Sequence, residues 1–238
     1  MSSEKNEGSR WTMEPMGEEA AAFMPTVESM LKKPGRVLHA IREGEDASLV
    51  RHLLLAAAGC FLVFGLVVGS FSFGQQLWAA PLKIMGGVML SALICLPSLY
   101  IFSCLTGLDV RAKDVAMVLA AMLCLVGLLL VGFAPVVWIF SQSTTSVAFM
   151  GFLALVFWGV AVGFGVGWLR GAWRQLGGEG KAGHLVVWVI IFLLVSLQMS
   201  TTLRPIVGPA DEFLTGEKKF FMTHWLESMS SEAVRGWE

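Results

Sequence analysis

The sequence predicts an all-α fold, a polytopic transmembrane helical bundle of five spans with the N-terminus inside and the C-terminus outside. Three observations lead there. Apolar residues make up 55% of the 238 and charged residues 15%, with a mean hydropathy of +0.70, which excludes an ordinary soluble domain. The charges are segregated: residues 53–82, 84–108, 115–169 and 182–203 hold no Asp, Glu, Lys or Arg, while 1–51 crowd together nine acids and seven bases. The uncharged stretches are apolar on every face, whereas barrel strands alternate, so helices are the spanning option that remains.

Residues 1–17 are rich in Ser, Glu and Gly and are expected to be disordered; residues 18–51 form a basic amphipathic juxtamembrane segment broken by Pro25 and Pro34. In that segment Val27, Met30 and Leu31 share one helical face, as do Val37, Leu38 and Ile41, with Lys32, Lys33, Arg36 and Arg42 around them. A short interfacial helix pair follows. It reads as a juxtamembrane anchor in preference to a specific lipid or partner contact. The polar, mixed-charge start has no apolar stretch near Met1, so no cleavable signal is expected and the first span serves for targeting.

A hydrocarbon core of about 30 Å takes about 20 helical residues. The uncharged stretches then divide into spans at roughly 52–73, 84–108, 115–140, 147–169 and 185–203, which places the transmembrane domain at 52–203. The 55 uncharged residues from 115 to 169 are too long for one helix, and the polar run 141–146 makes the turn of a hairpin. Twelve Lys and Arg fall on the side of the N-terminal arm and five on the other, which sets the N-inside orientation. Residues 204–238 form an external loop and an amphipathic helix from about 217 to 230, whose Phe221, Trp225, Leu226 and Met229 would dock on lipid or on a protein.

Inside the spans no ionisable residue occupies a central position, which counts against a proton or ion pump. The strongest positive pattern is Gly159, Gly163, Gly167 and Gly171 in the fourth span, with Gly165 beside them. Gly65 and Gly69 repeat the spacing in the first span. Glycines four apart make a slowly turning groove that another helix can approach closely, and packing within this chain is preferred over self-association. Pro97 and Pro135 are expected to kink the second and third spans. Ser91, Ser98, Ser103, Thr106, Gln198, Ser200, Thr201 and Thr202 read as interhelical hydrogen-bonding groups, or as the lining of a small polar pocket with the 141–146 run.

Trp78, Trp138, Trp168, Trp173 and Trp188 lie near span ends and read as interfacial belts. Cys60, Cys95, Cys104 and Cys124 fall within spans with no close pair and read as buried small apolar residues, not as a disulfide framework or a zinc site. His52 and His184 lie near the inner ends of their spans; without a second cue they read as interfacial histidines before haem ligands. Asp109 and Asp114 flank Arg111 and Lys113 as self-neutralising surface charge. The sequence has no hydrolase elbow, no phosphate-binding glycine loop ending in Lys-Ser/Thr and no His-Glu-x-x-His helix. No catalytic residue, metal or cofactor is therefore expected.

The arm with Lys32-Lys33-Pro34-Gly35-Arg36-Val37-Leu38 ahead of five spans, together with Leu96-Pro97-Ser98-Leu99-Tyr100 and Ser143-Thr144-Thr145-Ser146, resembles an uncharacterised family of bacterial multi-pass inner-membrane proteins. More loosely it is similar to the Yip-type membrane domain. The resemblance covers roughly residues 30–215; it implies a five-helix protein of the bacterial cytoplasmic membrane and carries over no catalytic residue.

The expected function is a non-enzymatic integral membrane subunit or scaffold. The expected partners are the lipid bilayer and other membrane-protein subunits or a second copy, with no nucleic acid among them. A small transporter or channel using the Pro-containing helices and their hydroxyls is the alternative, and an electron-transfer subunit with His52 or His184 on haem is a third.

Overall fold

A computed structural model describes residues 23–43, 47–71, 76–108, 110–178 and 182–203. The expectations for the arm 1–17, for Asp109 and for the external helix at 217–230 lie outside these residues. The described residues form seven helices and no strand: α1 (Phe23–Lys32), α2 (Pro34–Glu43), α3 (Ala47–Gly69), α4 (Gln76–Leu105), α5 (Ala112–Ser143), α6 (Val147–Gln175) and α7 (Ala182–Thr202). Helices α3 to α7 are each long and apolar enough to cross a membrane, which makes the chain a multi-pass membrane protein.

Helix α4 departs from the expected second span. It starts at Gln76 and runs through Pro81 and Lys83, whereas the charge count begins the span at 84. Lys83 is 2% exposed, so the lysine assigned to an outer loop is a buried residue of a spanning helix. A long aliphatic stem can carry an ammonium along apolar surface, so one charge need not end a helix.

By internal contacts the chain divides into two compact units. Unit 1 comprises Met1–Cys60, Leu96–Leu129 and Ala161–Trp188. In it residues 117–124 of α5 are all buried, as expected of a helix that is apolar on every face. Two glycines bring its neighbours close. Gly127 of α5 leaves room for α3: a Cβ there would stand 2.9 Å from Cys60 Cβ and 3.4 Å from the Ala57 carbonyl oxygen. Gly165 of α6 leaves room for α5, with Val126 Cγ2 at 2.6 Å and Met122 Cγ at 3.3 Å from the same imagined atom.

Helices α1 and α2 also belong to this core. In α2 Val37, Leu38 and Ile41 are fully buried, which corrects the picture of that apolar face laid on lipid; in α1 Met30 is buried but Leu31 is 55% exposed. The α2 face is spent inside the protein. Trp168, Trp173 and Trp188 are likewise buried in unit 1, so the interfacial-belt reading does not hold for them.

Helices α4 and α6 end alike in unit 1. Gly107 (φ 76°) ends α4, with the Gly107 N–H donating to the Cys104 carbonyl at 2.9 Å and the Leu108 N–H to Ser103 at 3.3 Å. Gly177 (φ 94°) ends α6 in the same way, through Gly177 N–H to Arg174 at 3.1 Å and Gly178 N–H to Trp173 at 3.0 Å. Both are Schellman caps, which need a left-handed residue and so favour glycine.

Unit 2 comprises Phe61–Cys95, Leu130–Val160 and Val189–Glu238. Here α5 and α6 form the expected hairpin about 144–146, with Phe140 and Phe149 edge to face at 5.6 Å and Phe133 stacked on Phe157 at 4.8 Å. The ring pairs step outward symmetrically from the connection, as two antiparallel helices require. Trp78 and Trp138 of this unit are 74% and 53% exposed, consistent with an interfacial position.

Candidate helix-docking face

On an ideal helix successive residues are 100° apart, and by this measure α6 divides cleanly. Ala161, Val162, Gly165, Val166, Trp168, Leu169, Ala172 and Trp173 fall on one side and are buried. Gly159, Val160, Gly163, Phe164, Gly167, Arg170 and Arg174 fall on the other and are exposed. Gly163 and Gly165 are two residues and 200° apart, so one opens outward while the other packs on α5.

Among the described residues nothing of this chain packs on the main glycine pattern. A Cβ built on Gly159, Gly163 or Gly167 meets no atom within 4 Å. Gly171 continues the spacing and is half-buried. Over about 12 Å of axis α6 thus presents a furrow bordered by Val160 and Phe164 and, among the described residues, empty of other atoms of the chain. Of the five spans α6 is the least enclosed, with 17% of its apolar window buried against 67% for α5.

Gly65 behaves differently. An added Cβ would fall onto the Pro81 backbone, within 3.0 Å of its nitrogen and 3.3 Å of the Ala80 carbonyl oxygen, so here the small residue lets α3 and α4 touch. Gly69 is buried in the same unit.

Several of the hydroxyls bond within their own helix. Ser91, Ser103, Thr106, Ser141, Ser143 and Thr202 each donate to a carbonyl three or four residues earlier in sequence, at 2.7–2.9 Å. Such back-bonding satisfies a hydroxyl without a partner helix. The connection between α5 and α6 is used for capping: Ser146 Oγ accepts the Phe149 N–H at 3.3 Å, and Thr144 Oγ1 accepts the Ser146 N–H at 3.2 Å. Pro97 and Pro135 lie within continuous helices and are exposed.

Asp114 is another correction. It is 8% exposed, and its Oδ2 accepts the Arg111 N–H at 3.0 Å and the Arg111 Nε–H at 3.3 Å. The expected ion pair with Arg111 is present, and at the third position of α5 the aspartate also closes the helix start in the manner of a capping box, buried where a surface charge was expected. Its sequence signal was the spacing of three from the residue before the helix.

His184 is exposed, with its ring 6.2 Å from that of Phe102, and His52 is half-buried. Among the described residues no three His, Cys, Asp or Glu side chains gather as a metal site. All four cysteines are free thiols; Cys95 and Cys124 are buried as expected, whereas Cys104 is exposed. No protein-family model, curated protein or solved structure matches this chain.

Proposed function

We propose that this chain is a non-enzymatic integral membrane subunit or scaffold, a multi-pass protein of the bacterial inner membrane oriented N-inside and C-outside. The observation that supports the reading is the open furrow of Gly159, Gly163 and Gly167. Each glycine in a helix interior costs about 1 kcal/mol relative to alanine, and lipid chains do not require the space. Close approach of a second helix does require it. The orientation rests on the distribution of Lys and Arg, and the compartment on the sequence resemblance alone.

The test is crosslinking in native membranes, extraction in mild detergent and identification of what migrates with the chain. A stoichiometric companion, or a second copy, that is lost from a Gly163→Leu variant supports the subunit reading. A strictly monomeric wild-type chain with no crosslinked companion would sink it.

A second reading, a small transporter or channel, is favoured by the burial of Lys83 within α4, since ionisable residues inside spans commonly mark a solute path. Solute flux in proteoliposomes that disappears in Lys83→Met would move this reading to the front; absence of flux in the wild type would remove its support.

A further inference from the structure

We propose that unit 1 carries a contact surface for anionic phospholipids, in which Arg170 and Arg174 form a paired seat for one phosphodiester headgroup. Over its full extent unit 1 holds twelve Lys and Arg and twelve Asp and Glu, so its cations count individually and not as a net field. Among the described residues two acids are engaged: Glu28 with Lys32 at 2.7 Å and Asp114 with Arg111 at 3.3 Å.

Arg51, Lys113, Arg170 and Arg174 are exposed and have no ion-pair or hydrogen-bond partner among the described residues. Each stands within the first or last few residues of a spanning helix. Lys113 is in the first turn of α5 and Arg51 just past the first turn of α3, where the helix dipole disfavours a cation. The placement of these two therefore does not serve the helices that carry them, and it suits a negatively charged surface outside the protein.

Arg170 and Arg174 are one turn apart on the exposed arc of α6, with Cβ atoms expected about 5–6 Å apart. Like charges at that spacing repel; the C-terminal dipole of α6 favours Arg174 in the last turn, but no acidic side chain on this helix offsets the pair. A phosphodiester between two guanidinium groups does so through charge-assisted bonds. The apolar surroundings select a lipid over a soluble anion or an acidic protein. Exposed Leu54 and Leu55 lie one turn beyond Arg51, and the furrow of Gly163 and Gly167 lies directly beyond Arg170. A ligand here meets cations and then bare hydrocarbon, which is the profile of a phospholipid. The headgroup seat is at the polar end of the arc, below the glycines, and does not depend on a helix docking above it.

The experiment places the full chain in nanodiscs containing equal amounts of phosphatidylglycerol and phosphatidylcholine, releases it, and counts retained lipids by native mass spectrometry. Phosphatidylglycerol is expected to be strongly enriched. With each basic side chain contributing about a factor of five at a membrane surface, R170Q/R174Q should lower the enrichment roughly twenty-fivefold, and R170K/R174K should restore most of it. R51Q/K113Q should lower it by a smaller factor, because these two cations stand on separate helices. Equal retention of both lipids would overturn the proposal, as would unchanged enrichment in R170Q/R174Q. Displacement of the lipid by inorganic phosphate at low millimolar concentration, or a co-purified acidic protein covering the arginines instead, would do the same.

Discussion

The backbone of Pro81 occupies the space in which a side chain on Gly65 would stand. Because Pro81 lacks an N–H and Gly65 a Cβ, α3 and α4 meet at that point through main chain, and no rotamer change can relieve an added atom. Gly65→Ala is accordingly expected to destabilise the chain by about 1–3 kcal/mol, the range for overpacking a close contact. Thermal denaturation of the detergent-solubilised protein measures this. A variant as stable as the wild type would mean that α3 and α4 do not approach as described.

The left-handed glycines provide a second, local prediction. Gly107→Ala and Gly177→Ala each force an L side chain into positive φ, at a cost of about 1–2 kcal/mol. Asn tolerates that region, so Gly107→Asn should recover part of the loss. Equal stability of the Ala and Asn variants would contradict the Schellman geometry.

Asp114→Ala removes the acceptor that closes the start of α5 and should cost about 1 kcal/mol. Asp114→Asn keeps an acceptor oxygen and should cost less. The ordering of the two melting temperatures is the readout, and a reversal would return Asp114 to the role of a surface charge.

The Glu28 carboxyl is held below the usual carboxylate range by its hydrogen bond to Lys32 and by the charge of the same ammonium. A lowered folded-state value means that the pair's stabilisation is present above the ordinary glutamate pKa and is lost as pH falls through the folded value. Both side chains are well exposed, so the effect on stability is small. The carboxyl titration followed by NMR should move up toward the ordinary range in Lys32→Gln; an unmoved titration would show that the ion pair does not form in solution.

Five spans were legible because uncharged apolar runs of about 20 residues have little alternative to a membrane helix. The start of α4 was not, since a loop lysine and a buried lysine inside a span, such as Lys83, produce the same string of letters. The apolar faces of α1 and α2 were visible as periodicity. Periodicity reports that a face is covered without saying by what, and here Val37, Leu38 and Ile41 are covered by protein. Serine and threonine were ambiguous in a similar way. Their hydroxyls reach a carbonyl one turn back as readily as a neighbouring helix, and the spacing of Ser91 and Ser103 is silent on the choice.

The glycine pattern of α6 illustrates the same limit and provides the sharpest test. Gly163 and Gly165 are close in sequence and chemically identical, yet their surroundings predict effects of opposite sign. At Gly165 an alanine methyl would stand 2.6 Å from Val126 Cγ2, and the valine must shift, so Gly165→Ala should destabilise by about 1–2 kcal/mol. At Gly163 the same methyl enters open space, and Gly163→Ala should stabilise the isolated chain by up to about 1 kcal/mol through helix propensity. Melting of both variants in detergent distinguishes the two positions, and Gly163→Ala destabilising the purified monomer would show that the furrow is filled from within. If Gly163→Ala instead stabilises the monomer while weakening a crosslinked assembly in membranes, the missing side chain is there for a partner helix. A local gain in helix stability and a loss of association in one variant is an outcome that burial of the furrow inside this chain cannot produce.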